Sequence, residues 1–188
     1  IPLIQILDQT ATPMGARLLK KWVLMPLKEK AAIEERHEVV EALVQDEELS
    51  IGLESHLKHI GDLERLISKV AVGRINPREM VQLKKSLKSL LPVKELLSTI
   101  PIDALKKLAD QINPCQFLLQ KIETELKEDP PMVSNLGGMI REGIHPELDE
   151  LRDISLNSKT WIANLQKTER EKSGISSLKV NYNKVFGY

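Results

Sequence analysis

Two histidines, His56 and His59, come closest to a metal-binding pattern. Positions three apart lie on one face of a helix, which would bring the two imidazoles near one ion. A stable metal site needs further ligands, and the sequence nominates none. We therefore expect surface or half-buried histidines and no metal site.

Other reactive groups do not form catalytic or nucleotide-binding patterns. Gly137-Gly138 lacks the following Lys and the preceding buried strand of a phosphate-binding loop, so we expect no nucleotide site. Acidic pairs such as Glu34-Glu35 and Glu47-Glu48 are typical of solvated helix faces, because catalytic carboxylates need burial and convergent geometry. No Ser, His and acid motif can be assigned. A small helical enzyme has no positive support.

Trp22, Trp161 and Cys115 are interpreted as packing residues. Both tryptophans fall on apolar stripes of helical spacing, which favours core packing over ligand stacking. The single cysteine is more typical of a small buried hydrophobe than of a reactive thiol, and one cysteine excludes an internal disulfide. The expected compartment is a reducing cytosol.

The charge of the chain is balanced overall but uneven along its length. Lys plus Arg and Asp plus Glu both total 27. Residues 159–188 nevertheless hold six Lys or Arg against two Glu, a local charge of +4 that leaves −4 elsewhere. The whole chain is therefore no electrostatic attractor of nucleic acid, and the basic region is at the C-terminal end.

Four polar residues in that basic region are the candidates for contact with nucleic-acid phosphates: Lys179, Asn181, Asn183 and Lys184. Cations and amides around a strand and turn can bond phosphate oxygens without reading bases. Ordinary surface lysines on a hairpin fit the composition equally well. Composition alone leaves these two interpretations open.

The elements that must position these residues are mainly helices. Hydrophobic residues make up 41% of the chain and aromatic residues only 3%, which favours Leu-rich helix packing and an all-α fold. Thr12-Pro13 and Asn76-Pro77 are helix starts, and Asp62 is an N-cap. Helices are predicted over residues 13–25, 29–45, 49–59, from 63, from 77 until Pro92, and over 93–98, 103–111 and 115–127.

The C-terminal fifth of the chain predicts one long helix followed by strand. Nothing between Pro146 and Ser173 breaks a helix, and these residues would span roughly 42 Å and project. Gly174 suits a C-terminal cap. Residues 178–182 alternate with period two and 185–188 follow a possible turn, which predicts strands.

The chain has no apolar run long enough to cross a bilayer and no signal-peptide pattern, so a soluble cytoplasmic protein is expected. It starts at Ile1 without Met and ends at Tyr188 within a strand-like pattern. We expect a fragment of a longer protein.

Several segments, in order along the chain, resemble the MutS family of DNA mismatch-repair proteins. The resemblance rests on Leu7-Asp8-Gln9-Thr10, Thr12 to Trp22 (TPMGARLLKKW), Ile33-Glu34-Glu35-Arg36, Gly61-Asp62-Leu63-Glu64-Arg65, Leu178 to Asn183 (LKVNYN) and Val185-Phe186-Gly187-Tyr188. Any one segment is weak evidence alone. The ordered set is specific.

The resemblance implies a domain layout and a function. Residues 1–145 would form a helical core, 146–173 a lever helix, and 174–188 the start of an incomplete clamp domain. The parent protein would be a homodimeric clamp on double-stranded DNA, with a MutL-type repair partner. Its ATPase, with ATP and Mg²⁺, would lie outside this chain, which would have no cofactor and no catalytic residue of its own.

The Gly61–Arg65 segment is expected to be structural: Asp62 caps a helix, Leu63 packs, and Arg65 pairs with a nearby acidic residue. The main alternative function, from a different class, is a helical protein-interaction scaffold without a nucleic-acid role.

Overall fold

The computed structural model describes residues 2–180 and shows an all-α fold in that range, as predicted. It forms two compact units, residues 1–141 and 142–188. The first unit holds eight α-helices among its described residues and the second holds two. They are α1 Leu3–Leu7, α2 Pro13–Leu24, α3 Lys30–Gln45, α4 Glu47–Leu57, α5 Leu63–Ala71, α6 Pro77–Thr99, α7 Asp103–Gln111, α8 Gln116–Glu125, α9 Pro146–Leu156 and α10 Ser158–Ser173.

The predicted helix starts are confirmed by side-chain caps. The Thr12 hydroxyl accepts from the Gly15 amide at 3.0 Å, and the Asp62 carboxylate accepts from the Arg65 amide at 3.2 Å. Asn76 forms a reciprocal capping box with Glu79, in which each side chain accepts from the other residue's backbone N–H. These bonds satisfy amides that the helix itself leaves without partners.

Helix α6 is the central element of the first unit, and it packs against α4, α5, α7 and α8. The predicted break at Pro92 is wrong, because α6 continues through this proline to Thr99. An interior proline costs a helix about 3 kcal/mol. Burial of Val93 and Leu97, in the turns that follow Pro92, offsets this cost because each contributes roughly 1.5–3 kcal/mol.

One hydrophobic cluster joins α6 to α3, α4 and α7. Leu105 on α7 is fully buried within it, and Ala109 is nearly so. The other buried members are Ala42, Leu49, Leu53, Ile60, Val93 and Leu97. This cluster therefore fixes the packing of four helices.

A second hydrophobic cluster lies on the N-terminal half of α6, where it meets α5 and α8. Its buried members are Leu66, Val81, Leu83, Leu87, Ile122 and Leu126. An isolated antiparallel bridge between Leu126 and Ile140 closes the following loop. The Arg141 guanidinium strengthens this closure by donating from Nε to the Leu126 carbonyl at 2.8 Å.

An ion-pair cluster ties α2 to α5. Arg17 on α2 donates to both Asp62 carboxylate oxygens, at 2.7 and 2.9 Å, and to Glu64 Oε2 from Nε and Nη2, at 2.9 and 2.6 Å. The Asp62 pKa is lowered mainly by the Arg17 hydrogen bonds. Arg65 bonds Asp62 through its backbone amide, whereas the guanidinium that pairs with Asp62 and Glu64 is that of Arg17, which the sequence analysis did not identify.

The start of α5 is also bonded to α6. The Gly61 amide donates to Ser86 Oγ at 2.9 Å, and Ser86 is almost completely buried. A Cβ atom on Gly61 would lie only 3.3 Å from that oxygen, so the close approach suits glycine. Arg17 and Ser86 thus hold the Gly61–Arg65 segment from two helices.

The second unit corrects the prediction of one uninterrupted helix. Residues 146–173 form α9 and α10, which are separated at Asn157, where φ is −106° and ψ is 28°. The Asn157 side chain donates to Asp153 Oδ1 at 2.7 Å. Asn and Ser side chains compete with the helical backbone for hydrogen bonds, and Asn157 is followed by Ser158. No proline or glycine is needed for this break.

The C-terminal cap at Gly174 is confirmed, with φ of 69°. The predicted strand from residue 178 is not seen, since residues 175–180 contain no strand, and its continuation over 181–188 lies outside the described residues. The reason is that the described part bonds to side chains of α10 and not to a neighbouring strand.

In the range 2–180, no helix combines the length and apolar character that a membrane span requires.

Replacing Leu105 by Ala should lower the free energy of unfolding by about 2–5 kcal/mol, because it leaves a cavity among four packed helices. Denaturant unfolding followed by circular dichroism measures this change. Leu108 on the same helix is 41% exposed, and Leu108→Ala should cost less than about 1 kcal/mol. Equal losses for the two variants would contradict the assigned core.

Arg17→Ala should raise the Asp62 pKa toward its ordinary value of about 4. A carboxyl whose folded pKa is lowered stabilises the fold above about pH 4, and this contribution disappears as pH falls through the folded pKa. The stability difference between the chain and Arg17→Ala should therefore narrow in acid. Carboxyl NMR titration and unfolding at several pH values test this, with Lys21→Ala as control; an unchanged Asp62 titration would contradict the assignment.

Candidate functional site

The candidate DNA-contact residues can be placed only in part. Lys179 is exposed and forms no ion pair with a described residue. The other three candidates, Asn181, Asn183 and Lys184, lie outside the described residues. Their contact with DNA stays a prediction.

The chain around Lys179 folds back along α10. After Gly174, residues 176–177 form a turn, and residues 178–180, which we name the return segment, follow. The Leu178 carbonyl accepts from Arg170 Nε at 2.7 Å, and the Val180 amide donates to Gln166 Oε1 at 3.0 Å. The two helix side chains hold the return segment on both sides of Lys179.

The side chains of the return segment alternate in exposure. Leu178 and Val180 are half-buried, whereas Lys179 between them is exposed. This is the period-two pattern that the sequence showed, but its backbone partners are the Arg170 and Gln166 side chains. Sequence periodicity could indicate the alternation and could not indicate those partners.

An apolar cleft around Trp22 was missed by the sequence analysis. The cleft has a volume of about 470 Å³, and Trp22 is 41% exposed at its edge, so the prediction that this ring packs in the core is wrong. The Arg36 guanidinium lies 3.6 Å from the ring centroid, in cation–π contact. Other lining residues are Leu27, Ala32, Glu35, Val39, Val40, Ala104, Lys107, Leu108 and Gln111.

The rim of this Trp22 cleft carries one inter-helix ion pair. Lys107 Nζ on α7 lies 2.8 Å from Glu35 Oε1 on α3. The hydrogen bond to Glu35 raises the Lys107 pKa. The Lys107 ammonium and the Glu35 carboxylate face each other across the rim, so the cleft has an apolar interior and an ion pair at its edge.

Of the other two predicted packing residues, Trp161 differs from expectation and Cys115 packs in part. Trp161 on α10 is 47% exposed, so its predicted core packing is wrong. Cys115 is half-buried as a free thiol beside the second hydrophobic cluster, and it adopts a left-handed backbone with φ of 49° just before α8. Its neighbour Phe117 is 80% exposed.

A polar cleft of about 390 Å³ lies between α5 and the start of α6. Asp62, Arg65, Asn76, Arg78 and Glu79 line it. The Glu79 pKa is lowered mainly by a hydrogen bond from Lys69 and further by the Asn76 amide. Both cleft carboxylates are thus held ionised, and neither is suited to donate a proton near neutral pH.

One of the two histidines makes a local contact. His59, just after α4, places Nδ1 2.7 Å from the carbonyl of Ser55 in the last turn of that helix. Within residues 2–180, no three His, Cys, Asp or Glu side chains are grouped to hold a metal ion.

The whole chain has counterparts among known proteins. The family model described as MutS domain III matches residues 2–184. The DNA mismatch repair protein MutS of Cytophaga hutchinsonii is 57% identical over 188 residues, which is 100% of this chain and 22% of the relative. The corresponding proteins of Flavobacterium psychrophilum and Bacillus licheniformis are each 47% identical, over 100% and 99% of this chain.

The chain spans about a fifth of the length of these relatives. The match nevertheless includes all the segments on which the resemblance rests, except the last residues of the chain, 185–188. The alignment with the first of these relatives extends over those residues too, because it includes all 188 positions. This chain therefore belongs to the MutS domain III family.

Proposed function

We propose that this chain is the core and lever region of a MutS-type DNA mismatch-repair protein. In this role it supports a clamp around double-stranded DNA and couples that clamp to an ATPase elsewhere in the same polypeptide. The observation that carries the proposal is the family match along residues 2–184. The relatives that match over this length are named for DNA mismatch repair.

The packing of the first unit is suited to a core that deforms little when an attached element moves. Two hydrophobic clusters share α6, and the Arg17 ion pairs and the Gly61–Ser86 hydrogen bond add ties between helices. A densely packed bundle deforms little, because its side chains interlock at nearly crystalline density. Such a bundle can receive a displacement from an attached helix without dissipating it.

The second unit suits a lever with two segments. Helices of 11 and 16 residues transmit tilt along their hydrogen-bonded axes, whereas Asn157 between them offers a place to bend. This replaces the single rigid rod of the sequence analysis. The lever would transmit the state of the clamp, free or bound to DNA, to the core through two rigid helices and one hinge.

The clamp contact would be electrostatic and would not depend on base sequence. Exposed Lys179, with Asn181, Asn183 and Lys184, would bond phosphate oxygens of double-stranded DNA once the rest of the clamp is present. The chain itself would use no cofactor, and ATP with Mg²⁺ would bind elsewhere in the polypeptide. A homodimer, a MutL-type partner and a cytoplasmic location belong to the same proposal.

A helical protein-interaction scaffold is the second candidate function. The Trp22 cleft favours it, since an apolar cleft edged by a half-exposed tryptophan is typical of protein-binding surfaces. A scaffold would not need the basic return segment. The two functions therefore differ in their dependence on Lys179 and Lys184.

In the full-length protein, replacing Lys179 and Lys184 by Ala should weaken binding to double-stranded DNA and flatten its salt dependence. Each lost phosphate contact lowers the slope of log K against log salt by about 0.9. Fluorescence anisotropy at several salt concentrations measures the slope. Lys20→Ala with Lys21→Ala on α2 is the matched control. Unchanged slopes for the C-terminal pair would favour the scaffold.

Insertion of Gly-Pro after Ser158 in the full-length protein should abolish the effect of DNA on the ATPase rate, because it lengthens the break between the two lever helices. Basal ATPase activity and DNA affinity should remain. The same insertion after Asn135, in the short 3-10 helix Ser134–Leu136 of the first unit, is the control. The measurement is the ATPase rate of each variant with and without DNA. If the variant with the insertion after Ser158 retained the full effect of DNA, the lever would be refuted.

A further inference from the structure

The return segment is held by two side chains one turn apart on α10. Gln166 and Arg170 are separated by four residues and so lie on one face of the helix. Arg170 bonds the Leu178 carbonyl, and Gln166 bonds the Val180 amide. The later residue of the return segment meets the earlier residue of the helix, so the chain runs antiparallel to α10.

The spacing of the two bonds matches the geometry of helix and extended chain. Four helical residues advance about 6 Å, and two extended residues advance about 6.6 Å. Gln166 and Arg170 can therefore bond Val180 and Leu178 at once without distortion of either segment. One helix side chain serves as acceptor and the other as donor, which matches the N–H and C=O groups that they meet.

We propose that Gln166 and Arg170 are positioning residues that fix Lys179 toward the phosphate backbone of double-stranded DNA. Leu178 and Val180 are half-buried and bonded through their backbones, so Lys179 between them has only the exposed side available. This inference rests on the proposed function, which supplies the DNA. The two residues act through Lys179 and need not touch the nucleic acid.

The energetic reason is preorganisation. A lysine on an unrestrained chain would lose backbone freedom when it binds a phosphate, and this loss of entropy opposes binding. The bonds to α10 remove that freedom before DNA arrives. They also connect the contact residue directly to the lever helix, so a displacement of Lys179 is passed to α10.

The first test uses the 188-residue chain without DNA. Gln166→Ala should accelerate hydrogen exchange of the Val180 amide about fivefold, the worth of one ordinary hydrogen bond. Gln166→Glu keeps an oxygen acceptor and should restore the protection. Asn164→Ala, which removes an exposed side-chain amide from the same helix, should change nothing at Val180. Unchanged exchange in Gln166→Ala overturns the positioning role.

The second test measures binding of a double-stranded oligonucleotide by the full-length protein. Lys179→Ala should lower the salt slope by about 0.9. Gln166→Ala removes no charge, so it should leave the slope near the wild-type value but weaken binding about fivefold, because the released backbone must be ordered when DNA binds. In the Lys179→Ala background the Gln166→Ala change should weaken binding no further, because no lysine is left to position, and Asn164→Ala should leave the affinity unchanged.

The outcomes separate this inference from the proposed function. A lowered slope for Lys179→Ala with wild-type affinity for Gln166→Ala overturns the positioning role alone. A wild-type slope for Lys179→Ala overturns both the DNA contact and its positioning. A loss of affinity in Gln166→Ala that disappears in the Lys179→Ala background supports both.

Discussion

The packing of α6 is the constraint on which the first unit depends. This one helix contributes buried residues to both hydrophobic clusters, Val81, Leu83 and Leu87 to one and Val93 and Leu97 to the other. Because both clusters include residues of α6, which is rigid, a displacement of one cluster also displaces residues of the other. The helix can carry an interior proline because its two ends are held by burial in separate clusters, not by its own ladder of hydrogen bonds.

Local features of the fold followed from the sequence, and features set by tertiary packing did not. Caps at Thr12, Asp62 and Asn76 depend on neighbours three residues away, so the residue pattern identifies them. The continuation through Pro92 depends on burial by distant helices, which no local pattern reports. The break at Asn157 has a local cause, but its signal in the sequence is weak. A polar side chain that competes for backbone hydrogen bonds indicates a helix break less clearly than proline or glycine does.

The candidate sites also divide into features that the sequence indicated and features that depend on tertiary contacts. Alternation around Lys179 was visible in the sequence, and the exposure pattern of residues 178–180 follows it, whereas the acceptor and donor on α10 were not identifiable. An acidic partner for Arg65 was expected nearby in the sequence, but no local pattern identified Arg17, 45 residues before Asp62, as the ionic partner of that carboxylate. Trp22 lies on an apolar stripe, yet Arg36 covers its face and leaves the edge exposed.

The break at Asn157 and the bonds at Gln166 and Arg170 together define what the second unit can transmit. A helix transmits tilt only up to its ends, so α10 passes to Asn157 whatever displacement reaches the return segment. How much of that displacement reaches α9 depends on how far the chain bends at Asn157. Its side chain bonds Asp153, and its carbonyl accepts from the Trp161 amide at 2.9 Å, so bonds span the break from both helices. Those bonds limit bending at Asn157 without forbidding it, so the lever that we propose would transmit small displacements and bend under large ones.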